Sequence, residues 1–263
     1  MRLRPATRSM VAVWTAALLL VTFNLHGAQA ATPPPGLDTA IRDFYQAYRD
    51  WDRTALQSAA AQLGTLSETY PESFEVGYWH GVSRLHLLLH LHKSDPDRIT
   101  VEQVDAVLET IDAVLQRHPD QGELHAMLGT LYGLRITTRR LGAIRDGRRF
   151  QNQFRLALKA APDNPRVNYL YGRALMSGPS MLGGPDLALK HFRNALDGFE
   201  AEHNAATATA LPSWGHSHTL SGIGWLHLQA GDNESAAAAF RDALRLNPNE
   251  TEARDGLMRI EQP

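Results

Sequence analysis

Leu220-Ser-Gly-Ile223-Gly224-Trp-Leu-His227, a break at Gly231, then Ala236-x3-Phe240, Ala243 and Pro248 decide the fold of this chain. Positions 220, 223 and 227 are three and four apart, so they share one helical face. Gly224 is small where a second helix backbone has to come close. Gly231 allows the left-handed turn that ends a helix. Ala236, Phe240 and Ala243 repeat the i, i+4, i+7 spacing of a second apolar stripe. Pro248 has no N–H to donate and stops that helix. The stretch encodes two antiparallel helices packed through a glycine.

The same skeleton recurs upstream. His125-x2-Leu128-Gly129-x2-Tyr132 leads to Phe150-x3-Phe154, Ala157 and Pro162. Asn168-x2-Tyr171-Gly172-x2-Leu175 leads to Ala188-x3-Phe192 and Ala195. Gly77-x2-His80-Gly81-x2-Arg84 leads to Val107-x3-Ile111, Val114 and Pro119. The first copy is the most degenerate: Ala47 keeps the small position, followed by Ala59-x3-Leu63, Leu66 and Pro71. The small residues at 47, 81, 129, 172 and 224 are separated by 34, 48, 43 and 52 positions. The later units therefore carry insertions, as longer helices or as loops such as Ser177–Pro185 and the link 201–214.

This pattern resembles the 34-residue tetratricopeptide (TPR) repeat, large-x2-Leu-Gly-x2-Tyr followed by Ala-x3-Phe and Pro. The resemblance implies an all-α fold: a TPR-like right-handed solenoid of about five helical hairpins plus a C-terminal capping helix. Helices are expected at 37–50, 54–69, 73–92, 101–118, 122–139, 147–161, 165–176, 186–200, 217–229, 233–247 and 250–261. Thr100-x-x-Gln103 and Asn249-x-x-Glu252 fit the capping box, and Asp186 suits an N-cap. The repeat-packing residues are Gly81, Gly129, Gly172, Gly224, Ala236, Phe240 and Pro248.

The first thirty residues read differently. Arg2, Arg4 and Arg8 precede an apolar run, Met10–Phe23, and then Ala28-Gln29-Ala30. A basic start, a short apolar centre and small-x-small make a secretory signal, with Ala28 and Ala30 at the cleavage site. The apolar run falls short of the roughly 20 residues that a membrane span needs. Residues 1–30 are thus expected to be a signal peptide, 31–36 a proline-rich tether and 37–263 the repeat domain, with no membrane span after cleavage. The chain is expected in the periplasm or outside the cell.

Three segments are similar to exported bacterial TPR proteins of mostly unassigned function: Asp163-Asn-Pro-Arg166 with Gly172, Gly178-Pro-Ser-Met-Leu-Gly-Gly-Pro185, and Pro212-Ser-Trp-Gly-His216. That likeness implies fold and exported address, and it implies no catalytic activity.

Composition narrows the chemistry. Apolar residues are 43 % of the chain, enough for a core, and formal charge is −2, against the basic excess of a nucleic-acid binder. There is no cysteine, so disulfides, thiolate metal sites and cysteine nucleophiles are excluded. No nucleophile elbow, phosphate loop or His-Glu-x-x-His motif is present. We therefore expect no enzyme and no cofactor.

His86 and His90, four apart on one helical face, are the candidate metal ligands. They lie among leucines with no acid between His80 and Lys93, which fits hydrogen-bonded core imidazoles better. Arg135, Arg139, Arg140, Arg145, Arg148, Arg149 and Arg155 crowd one inserted region with only Asp146 among them. Arg139, Arg140, Arg148 and Arg149 are the candidate contacts for an acidic protein or peptide; a solvated face paired with neighbouring acids is the plainer account. Trp79, Trp214 and Trp225 suit either core or groove. The expected function is a non-enzymatic extracytoplasmic scaffold whose concave surface takes an extended peptide or partner helix. The alternative is a periplasmic small-solute or metal-binding protein with a pocket closed by the inserted loops.

Overall fold

The computed structural model describes residues 33–138, 142–177, 184–205 and 212–262. Among these residues there are eleven α-helices and no strand. They are α1 (Leu37–Asp50), α2 (Arg53–Thr69), α3 (Phe74–Ser94), α4 (Val101–Arg117), α5 (Gly122–Thr138), α6 (Ala143–Ala160), α7 (Pro165–Ser177), α8 (Gly184–Ala205), α9 (His216–Gln229), α10 (Asn233–Leu246) and α11 (Thr251–Glu261). Each odd-numbered helix pairs with the even-numbered helix after it, which gives five hairpins, and α11 covers the last. The odd-numbered helices also pack successively on one another, α1 on α3 through to α9 on α11. They form the inner layer, and the even-numbered helices stand behind them.

Proline sets the length of four outer helices. α2, α4, α6 and α10 each end two residues before Pro71, Pro119, Pro162 and Pro248. The residue between, Tyr70, His118, Ala161 or Asn247, is already out of the helical region, as the pyrrolidine ring requires of its predecessor. α8 has no proline at that register and continues to Ala205, past the expected end at 200.

The central glycine of the third, fourth and fifth hairpins has a sharper role than expected. It does not bring two backbones together; it makes room for an aromatic ring. A Cβ on Gly129 would lie 2.8 Å from the Phe154 ring, on Gly172 2.7 Å from Phe192, and on Gly224 2.5 Å from Phe240. On Gly81 it would meet Ile111 at 2.9 Å. The next inner helix closes the other side of two rings: Gly222 backs Phe192 and Gly256 backs Phe240. Phe192 and Phe240 are fully buried.

Capping follows the sequence at Thr100, whose hydroxyl accepts from Gln103 N while the Gln103 side chain accepts from Thr100 N. It departs at two places. α11 is capped by Glu250, not Asn249, whose side-chain oxygen accepts from Arg254 while its amide donates across to Asp50 Oδ1 at 3.0 Å. α8 begins at Gly184, two residues before Asp186, with Pro185 in the first turn where its missing donor costs nothing. α6 begins at Ala143, four residues earlier than expected, after Gly142 in the left-handed region. The insertion in the second unit is a 21-residue α3 followed by a single 3-10 turn, Pro96–Arg98.

Candidate functional site

The repeat pattern alone predicts an open inner trough. The trough is crossed instead by the segment before α9. Trp214 is 0 % exposed, and its indole N–H donates to Tyr78 Oη at 3.0 Å. The Gly215 amide donates to Tyr48 Oη at 2.9 Å, and the Ser213 amide to Tyr45 Oη at 2.7 Å. Gly215 has φ +95°, and a Cβ there would strike the Tyr169 ring at 2.9 Å. The Trp-Gly pair is thus needed twice, for the left-handed turn into α9 and for close approach.

Arg166 anchors this segment from the other side. It is 3 % exposed and donates to Glu123 Oε1 at 2.7 Å, to both Glu202 oxygens at 2.7 and 2.8 Å, and to the Pro212 carbonyl at 2.6 Å. Burial alone would lower its pKa. The bonds to Glu202 and the charge of Glu123 outweigh burial and hold it above the usual value. Asn164 caps α7 by accepting from Arg166 N and Val167 N. Asp163-Asn-Pro-Arg166 and Pro212-Ser-Trp-Gly-His216, far apart in sequence, are thereby one structural unit.

The first and last hairpins meet beyond this plug. His218 Nδ1 lies 2.8 Å from Tyr48 Oη and 3.1 Å from Glu250 Oε2. Asn247 donates to the Arg49 carbonyl at 3.3 Å. Lys93 donates to Thr251 Oγ1 at 2.8 Å. Hairpins one and five therefore contact each other across the superhelix.

What remains of the inner face is a cavity of about 400 Å³. Its lining comes only from odd-numbered helices and from Trp51, the residue that ends α1 at φ +52°. Trp51, Tyr169 and Trp225 provide aromatic wall; Lys93 and Arg173 face Asp255 and Glu252 of α11. Arg173 holds Glu252 through two bonds, 2.7 and 3.0 Å. Burial would raise the Glu252 pKa, but Arg173 outweighs it and brings the carboxyl down to about 2.

The histidine pair takes separate places. His90 Nε2 lies 2.9 Å from the Trp51 carbonyl and its ring stacks on that indole. His86 is 2 % exposed, packed edge-on to Tyr48 and Trp214, with no hydrogen-bond partner at Nε2. Burial, aided by His218, lowers its pKa to about 3, so the imidazole is neutral near pH 7. Among the described residues no three His, Asp or Glu side chains are placed to share a metal ion. Trp79 belongs to a core cluster with Phe44, Tyr45 and Tyr78, Trp214 forms the plug, and Trp225 lines the cavity.

The arginines divide. Arg135 is nearly buried and bridges α4 to α6 through Asp105 at 2.9 Å and the buried Asp146 at 3.4 Å. Arg149 lies 3.8 Å from Asp146 and over the Tyr132 ring. Arg145 and Arg148 are exposed without an ion pair among the described residues, and between them and the start of α6 Ile144 is 79 % exposed. Arg139 and Arg140 lie outside the described residues, as do Ala28 and Ala30.

Sequence reasoning does not assign Trp51, Lys93, Tyr169, Arg173, Glu252 or Asp255 to a site. A signal is present nonetheless. The residue after the small position, rotated about 100° from it, gives Thr130, Arg173 and Trp225 in three repeats. Four or five positions on come Trp51, His86, Met176 and Gln229.

A fold of paired helices around a plugged inner face makes this chain a TPR-type solenoid. TTC0263, a thermophilic TPR protein of Thermus thermophilus, superposes with a TM-score of 0.56 over 84 % of this chain and 99 % of its own, at 18 % identity. The HusA haemophore from Porphyromonas gingivalis superposes with a TM-score of 0.60 over 76 % and 96 %, at 16 % identity. At these identities the likeness concerns the fold. Neither a family model nor a curated protein sequence matches the chain.

Proposed function

We propose that this protein is an exported, non-enzymatic scaffold that holds an acidic protein or peptide at the basic corner where α6 begins. The observation that carries the reading is the exposed Ile144 set beside Arg145, Arg148 and Arg149. Structural arginines in this chain, Arg135, Arg166 and Arg173, are matched by carboxylates. Arg145 and Arg148 have no such partner among the described residues, and the apolar side chain of Ile144 beside them supplies the water-excluding contact that charge alone lacks. The export half of the proposal rests on Arg2–Ala30 as a signal. No helix among the described residues is long and apolar enough to cross a membrane.

A photo-crosslinking residue in place of Ile144, in the protein expressed at native level, tests it. The captured partner is then purified and its affinity measured against wild type and Arg148→Glu/Arg149→Glu. The reading requires weaker binding in the variant and a loss of affinity with added salt. Equal, salt-insensitive binding by both forms overturns it. Recovery of intact Met1 on cytoplasmic protein overturns the export half.

A further inference from the structure

We propose that the inner cavity is a second binding site, independent of the basic corner, and that it takes a free zwitterion: an α-amino acid with a bulky apolar side chain. Two observations converge on this class of ligand.

The first is size and lining. About 400 Å³ lies within the range of small-ligand sites, and aromatic faces of Trp51, Tyr169 and Trp225 with Leu89 and Met176 provide an apolar interior. Such walls favour an aliphatic or aromatic side chain.

The second is the charge arrangement. Two cations on α3 and α7 oppose two carboxylates on α11, so a ligand with net charge would leave one group uncompensated. The two pairs are not equivalent. Arg173–Glu252 is bidentate, short and shielded, with side chains 28 % and 12 % exposed. Lys93–Asp255 is 3.6 Å apart and 30 % and 52 % exposed. The looser pair is the one a ligand can enter. A carboxylate on Lys93 and an ammonium on Asp255 would replace one salt bridge by two at no change in net charge. The Arg173–Glu252 pair would stay as it is and hold α11 in position.

Isothermal titration and thermal shift on the purified chain test this with L-phenylalanine and L-leucine as probes. Glycine, N-acetyl-L-phenylalanine and L-phenylalaninamide are the controls. Both zwitterions should bind and raise Tm. Glycine lacks the side chain and each blocked form lacks one charge, so each should lose about tenfold or more in affinity, the scale of one charged hydrogen bond. Lys93→Met and Asp255→Asn should each lose a similar factor while helical circular dichroism is unchanged, and Arg148→Glu/Arg149→Glu should bind as wild type does. Absence of binding by both probes at millimolar concentration overturns the proposal. Binding of the blocked forms as tight as that of the zwitterions, or wild-type affinity in Asp255→Asn, overturns it too.

Discussion

Phe240 is gripped between Gly224 of its own hairpin and Gly256 of the cap, with no space for a methyl group on either. Gly224→Ala should therefore destabilise by about 1–3 kcal/mol through overpacking, against the general preference of helices for alanine. Gly147, inside α6, has open space where a Cβ would stand, with no atom within 4 Å. Gly147→Ala should gain about 0.5–1 kcal/mol. Thermal melts that move in the same direction for both variants would refute the ring-against-glycine account. His86 makes a second residue-level case. Its imidazole titrates near 3 when folded and near 6.5 when free. The unfolded chain therefore takes up a proton that the folded one refuses, and stability falls as pH drops from about 6.5 to about 3, with a slope approaching about 1.4 kcal/mol per pH unit. His86→Met should flatten that part of the Tm–pH curve. An unchanged curve would mean the acid sensitivity lies elsewhere. Gly224 is legible in the sequence because one residue repeats at a fixed register. The loneliness of His86 Nε2 is not, since it depends on Trp214, 128 positions away.

At the scale of the element, what the sequence can show depends on whether a signal acts locally. The ends of α2, α4, α6 and α10 are readable from prolines because the clash is between neighbours. Thr100 and Gln103 are readable for the same reason. Thr100→Ala should cost about 1 kcal/mol, the loss of an N-cap in an otherwise solvent-accessible turn. Asn249 carries the same local signature and is used otherwise: its oxygen accepts from Arg254 and its amide donates to Asp50 of α1. Asn249→Ala should consequently be non-additive with Asp50→Ala, the double variant losing about as much as either single one. Strict additivity in denaturant midpoints would show that the contact contributes nothing. The start of α6 at Ala143 escapes the local reading for a related reason. Asp146, expected to stand before the helix, is buried inside it against Arg135, which comes from α5.

For the whole molecule, the repeats specify hairpins, and the angle accumulated over five of them decides what the first meets. A solenoid that stays open confines damage to nearest neighbours. Here Tyr45, Tyr48 and Arg49 of α1 bond to Ser213, Gly215, His218 and Asn247 of the last repeat, so the two ends are coupled through the inner face. The long spacing between Gly172 and Gly224 carries the trace of this in sequence: part of the excess is the segment that crosses the interior. Spacing alone does not show where that segment goes. Tyr48→Phe is the test of the closure. It leaves the ring in place among Phe44 and His86 and removes the hydroxyl that accepts from Gly215 N and lies against His218. Two buried groups lose a partner, a cost of about 1–3 kcal/mol. In hydrogen exchange the amides of the first turns of α9 should lose protection together with those of α1, although about 170 residues separate them, while those of α5 and α6 keep theirs. Loss confined to α1, α2 and α3 would mean that the stack behaves as an open chain of nearest neighbours and that the contacts between its ends do not couple them.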